Sequence, residues 1–74
     1  MSMSHAPLSI QINGAPRTVA SATVSELLAE VGLSPARPGI AVAIEGALVP
    51  RATWGETRIQ EGQAVEIITA SQGG

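Results

Sequence analysis

An α+β domain is predicted for this 74-residue chain: a mixed β-sheet with one main helix packed across one face. Three observations predict it. Apolar residues alternate with polar or small ones in "LSIQI", "IAVAI" and "AVEIIT", the period-two signature of half-buried strands. One segment, opening at Thr23 and closing at Gly32, carries its apolar residues at helical spacing instead. That segment lies between two strand pairs and is long enough to cross over a sheet face.

Leu8, Ile10 and Ile12 alternate with Ser9 and Gln11. Asn13-Gly14 comes next, a strong tight-hairpin signal because both residues tolerate positive φ. "APRTVA" returns as a second strand, and Pro16 within it implies a sheet edge or a strand end. The helix opens with Thr23 and, three residues on, Glu26, the capping-box spacing. Val24, Leu27, Leu28 and Val31 make one apolar stripe, while Ser25, Glu26, Ala29 and Glu30 face away. Gly32 stands where a C-terminal cap belongs, and Pro35 prevents continuation.

"ARPG" is a loop by its proline and glycine content. In the third strand Ile40, Val42 and Ile44 share one face and Ala41 and Ala43 the other. Glu45-Gly46 turns the chain, and "ALV" is a short strand ended by Pro50. "RATWGETRIQ" has no clear period and is expected as a loop with a short helical turn. Glu61-Gly62 is a further turn. The last strand puts Val65 and Ile67 on one face, Glu66 and Ile68 on the other. With a right-handed crossover through the helix, this last strand slots beside the first. The result is the β-grasp arrangement of ubiquitin; an antiparallel α+β domain of other topology is the alternative. The expected organisation is a flexible N-terminal extension over 1–7, the domain over 8–69, and a flexible tail over 70–74.

Composition removes several function classes. There is no cysteine and a single histidine, His5, so neither a disulfide framework nor a zinc site is expected. The net charge is −2, with no basic stripe, and Trp54 is the only aromatic residue. Nucleic-acid binding by charge or base stacking is therefore unsupported. No stretch approaches the ~20 apolar residues of a membrane span, and the opening "MSMSHAPLS" lacks a basic segment followed by an apolar run. The expected compartment is the cytoplasm, with no bound cofactor and no metal.

The sequence closes on Ala70-Ser71-Gln72-Gly73-Gly74. Glycine fills about 7% of average positions, so a Gly-Gly pair arises there by chance at roughly 0.5%. A frayed tail is the plain interpretation. The functional one is that Gly73 and Gly74 lack side chains because the tail must enter a narrow site. Among the remaining residues, Trp54 is foremost a lid over one edge of the small core, with a partner contact as the second reading. Arg51 and Arg58 are expected to be solvated charges, and Asn13-Gly14 a turn without function. Ala41, Ala43, Ile68 and Ala70 should leave the face opposite the helix poorly covered by polar groups, either as an interaction patch or as ordinary sheet surface.

The element order and the Gly-Gly ending resemble the ubiquitin-like sulfur carriers, and more closely the ThiS family of thiazole (thiamin) biosynthesis. "RPGIAVAIEG", Val49-Pro50-Arg51, Trp54 three residues on, Glu61-Gly62 and "AVEIITASQGG" carry that resemblance from about Leu8 to Gly74. It implies a protein cosubstrate rather than an enzyme. Its reactive group would be the C-terminal carboxylate of Gly74, adenylated by a ubiquitin-activating-enzyme-like (ThiF-like) adenylyltransferase using ATP. A persulfide donor would then supply sulfur, and the thiocarboxylate would be delivered to a ThiG-like thiazole synthase. Gly73, Gln72, Ile68, Ala70, Ala41, Ala43 and Trp54 are the partner-binding candidates. Two rivals share the fold: the small subunit of molybdopterin synthase, and a ubiquitin-like module without sulfur chemistry.

Overall fold

Among the described residues, five strands form one mixed sheet in the order β2-β1-β5-β3-β4, with a single α-helix against one face. This is seen in a computed structural model that describes residues 7–70. The strands are β1 (Leu8–Ile12), β2 (Ala15–Val19), β3 (Ile40–Ile44), β4 (Ala47–Val49) and β5 (Ala64–Thr69). Helix α1 spans Val24–Glu30, and a short 3-10 turn spans Arg51–Thr53.

The two hairpins are antiparallel, β5 is antiparallel to β3, and β5 runs parallel to β1. The expected β-grasp topology is therefore present, with Pro16 on the edge strand β2, where a missing amide hydrogen costs no inter-strand bond.

Local chemistry explains each turn. Asn13 and Gly14 take φ of 52° and 83°, and Glu45 and Gly46 take φ of 52° and 83°. Both pairs thus have the two positive φ values that let a tight hairpin match the strand twist. Glu26 N donates to Thr23 Oγ1 at 3.3 Å. The return bond of the cap comes from the Ala22 amide to Glu26 Oε1, at 2.8 Å. The helix ends in a Schellman motif: Gly32, at φ 91°, donates to the Ala29 carbonyl and Leu33 to that of Leu28.

The core lies between helix and sheet. Val24, Leu27 and Leu28 have no exposed surface, and Val19, Val42 and Val65 are nearly as buried. Each such side chain is worth about 1.5–3 kcal/mol when fully removed from water. Ile59 also joins this core, although no periodic segment contains it. Its amide donates to the Ala22 carbonyl, next to an isolated bridge between Thr23 and Arg58.

Candidate functional site: the fifth strand and the outer sheet face

β5 occupies the middle of the sheet, between β1 and β3. The hairpin turns on both sides reach across to it. The Asn13 side chain accepts from the Ile67 amide at 2.8 Å and donates to the Ile67 carbonyl at 3.1 Å. The Glu45 carboxylate accepts from the Ala64 amide at 2.8 Å. So Asn13, expected only as a turn residue, also substitutes for backbone in the ladder to β5.

The strand holds beyond its formal end. Ala70 donates its amide hydrogen to the Gly39 carbonyl at 2.6 Å. Gly39 has φ 82°, and a Cβ placed on it would stand 3.3 Å from the Ala70 Cβ. Ala70, expected to begin the tail, is therefore still bonded to the sheet. Of the tail candidates, Gln72, Gly73 and Gly74 lie outside the described residues, as do residues 1–6 of the N-terminal segment.

The outer face is apolar at its centre. Ala41 stands opposite Ile68, and Ala43 opposite Leu48 on its other side. Directly opposed residues share a face and approach within van der Waals reach. Ile68 is 60% exposed and Leu48 72% exposed, while Ala41 and Ala43 are half-buried beneath them. Glu66 borders this patch, and Ala70 is exposed beyond it. Four of the expected residues thus sit on or beside one surface. Leu48 belongs with them but was not expected. A three-residue strand is too short to show alternation, and only its register opposite Ala43 reveals its facing.

Trp54 does not belong to that surface. It is 2% exposed and forms part of the core. Its indole Nε1 donates to the Val49 carbonyl of edge strand β4 at 3.0 Å. The ring thus serves as the lid, and its place among the partner contacts is corrected: a buried ring leaves no surface for a partner. Arg51 is exposed, as expected of a solvated charge, but it is also held in place. Its guanidinium lies 4.4 Å from the Trp54 ring centroid and donates to the carbonyls of Pro35 (2.6 Å) and Arg37 (2.8 Å). A planar fork with several donors suits this double grip.

At the opposite end of the helix, Glu30 accepts from the Ala20 amide and the Ser21 hydroxyl. The Ser21 hydroxyl is the main cause that holds the Glu30 carboxyl below the usual carboxylate range. Among the described residues no cluster of metal-ligating side chains occurs, and no helix is long and apolar enough to cross a membrane.

Among the described residues the arrangement offers no catalytic constellation. It offers an apolar sheet face on the same strand that leads into the Gly-Gly segment. The ThiS family profile matches residues 10–74. The chain belongs to the ThiS family. Family members are sulfur carriers of thiamine biosynthesis and act with that pathway's enzymes rather than as enzymes themselves. Solved structures similar to it include the following two. One is the crystal structure of thiamine biosynthesis protein ThiS from Geobacter metallireducens, at 30% identity and a TM-score of 0.73, covering 90% of this chain and 100% of that one. The other is an NMR solution structure of a thiamine biosynthesis protein from the same organism, at 30% identity and a TM-score of 0.75, covering 90% and 88%. No curated protein matches the chain.

Proposed function

We propose that this ThiS-family chain carries sulfur as a thiocarboxylate on Gly74 and donates it for thiazole formation. The family match, which runs through Gly74, is the observation that supports this reading most. A free carboxylate is a poor acyl donor because its leaving group would be oxide. A ThiF-like adenylyltransferase would couple it to the α-phosphate of ATP, releasing pyrophosphate. The terminal sulfur of a protein persulfide then attacks the acyl carbon and AMP leaves. A partner thiol reduces the resulting acyl disulfide, forming a disulfide of its own and freeing the thiocarboxylate. ThiG-like thiazole synthase consumes that sulfur and returns the plain carboxylate.

All catalytic groups in this scheme belong to partners. The carrier's part is docking and presentation. Docking falls to Ile68 and Leu48 with Ala41 and Ala43 beneath, since large apolar residues exposed together are typical of interaction patches. Presentation falls to Gly73 and Gly74, where any side chain would obstruct a narrow active site. The test is incubation with ATP and a family adenylyltransferase, followed by intact mass. An acyl-adenylate is expected, and with the persulfide donor a mass gain equal to exchange of oxygen for sulfur. A chain that never forms the adenylate is not a carrier. Formation of the thiocarboxylate, with support of molybdopterin synthesis instead of thiazole synthesis, would shift the assignment to the rival carrier.

A further inference from the structure

We infer that Arg51 and Gly39 form a clamp that fixes the root of the C-terminal tail, making both positioning residues for the chemistry at Gly74. The inference rests on the sulfur-carrier reading above. Three contacts hold the Arg51 guanidinium: the Trp54 ring at 4.4 Å, the Pro35 carbonyl at 2.6 Å and the Arg37 carbonyl at 2.8 Å. Trp54 is itself locked, being 2% exposed and bonded to Val49. A rigid core residue therefore braces the loop that leads into β3. Two residues past Arg37, that loop delivers the Gly39 carbonyl to the Ala70 amide. Gly39 and Ala70 continue the β3·β5 register one step beyond Ile40 and Thr69.

This last bond matters because the reactive end of the chain lies only a short tether beyond it. From Ala70 to Gly74 there are four residue steps, an extended reach of about 13–14 Å at 3.3–3.6 Å each. When the tail is drawn out to that reach in a partner's site it has no slack, and displacement of the root is then passed on to the acyl carbon. Misplacement by about 1 Å at a reacting centre can cost on the order of a hundredfold in rate. Gly39 is suited to the task on two counts. Its φ of 82° disfavours any side chain, and the space where a Cβ would stand is already crowded by Ala70. Gly39 faces Ala70 at the border of the outer docking face, whereas Arg51 is not among the residues of that face, so Arg51→Lys is the variant that separates tail placement from recognition.

The test uses the full chain with a family adenylyltransferase and ATP. In Arg51→Lys an ammonium replaces the fork and cannot grip two carbonyls and stack at once. Amide hydrogen exchange at Ala70 should accelerate about three- to tenfold, the range set by one hydrogen bond. The kcat for adenylation should fall at least as much, with KM unchanged. Gly39→Ala should do the same by crowding Ala70, and stands in if Arg51→Lys does not fold. Val19→Ala, on the far edge strand, is the control for lost stability and should leave Ala70 exchange and kcat at wild-type values. Unchanged Ala70 exchange in both variants overturns the clamp. A raised KM at constant kcat overturns it too, because Arg51 would then be a docking contact. Wild-type chain that is not adenylated at all overturns the carrier reading instead, while the exchange rates still decide whether the clamp exists.

Discussion

Neighbouring isoleucines of β5 should respond oppositely to the same substitution. Ile67 is 8% exposed and packs in the core, whereas Ile68 is 60% exposed on the outer face. Ile67→Glu removes a buried aliphatic side chain, at about 2–5 kcal/mol by analogy with truncation. It also places a carboxylate among Val, Leu and Ile side chains, where it must stay protonated or force the core open. A chain of this size has a total stability of about 4–11 kcal/mol at ~0.05–0.15 kcal/mol per residue, so the variant should be largely unfolded. Ile68→Glu forfeits only the covered part of its side chain, about 1 kcal/mol from a full-burial value of 1.5–3. The new charge lies two residues from Glu66 on the same face, about 7 Å away, which adds about 0.6 kcal/mol in water before salt screening. The domain should stay folded, with a urea midpoint only slightly lowered. Its KM for the adenylyltransferase should rise about tenfold or more, as for an interface anchor. Urea titration followed by steady-state adenylation reads both. A folded Ile67→Glu with an unfolded Ile68→Glu would mean that β5 is slipped by one residue. A folded Ile68→Glu with unchanged KM would remove the outer face from the docking scheme.

Other substitutions probe the frame. Asn13→Gly keeps the positive φ but deletes both bonds to Ile67, and should lower stability by about 1–3 kcal/mol, measured by urea unfolding. Gly32→Ala meets no atom within 4 Å but must hold φ at 91°; its cost should be the backbone strain alone, about 1–2 kcal/mol in thermal unfolding. Glu30 has a lowered folded-state pKa, so its contribution is present above the unfolded carboxylate pKa and is lost as pH falls through the folded value. The stability gap between wild type and Glu30→Gln should accordingly shrink on acidification, and a gap that widens would contradict the bond to Ser21.

Much of this fold was legible because its signals are local. Alternation in β1, β3 and β5 gives the correct facing of Ile10, Val42 and Ile67. The Thr23 cap and the Gly32 stop bracket a helix whose buried stripe is Val24, Leu27 and Leu28. The features that escaped depend on tertiary neighbours. Arg51 is the surface charge it looks like, but its contacts with Trp54 and two loop carbonyls emerge only in the fold. Ile59 lies in an aperiodic segment and is buried only because bonds near Thr23 pin that segment to the helix start. Asn13 advertises a turn through its backbone preference, while its side-chain role depends on a strand 54 residues away. The apolar outer face was half legible: Ala41, Ala43 and Ile68 follow from alternation, and Leu48 requires the β3·β4 register.

The central place of β5 also governs when the protein becomes competent. Each hairpin is made of neighbours in sequence, yet neither hairpin pairs with the other; β5 alone joins them. During synthesis the two hairpins and the helix emerge first and have no shared sheet to complete. The strand that supplies Val65 and Ile67 to the core is the same one that leads to the glycine segment. Assembly of the interior and creation of the tail's anchorage are therefore a single event. Under the proposed carrier function, a nascent or partly open chain would present its glycines with no platform behind them, and an activating enzyme that reads the platform would pass it over. On that proposal, folding itself would act as the checkpoint on loading.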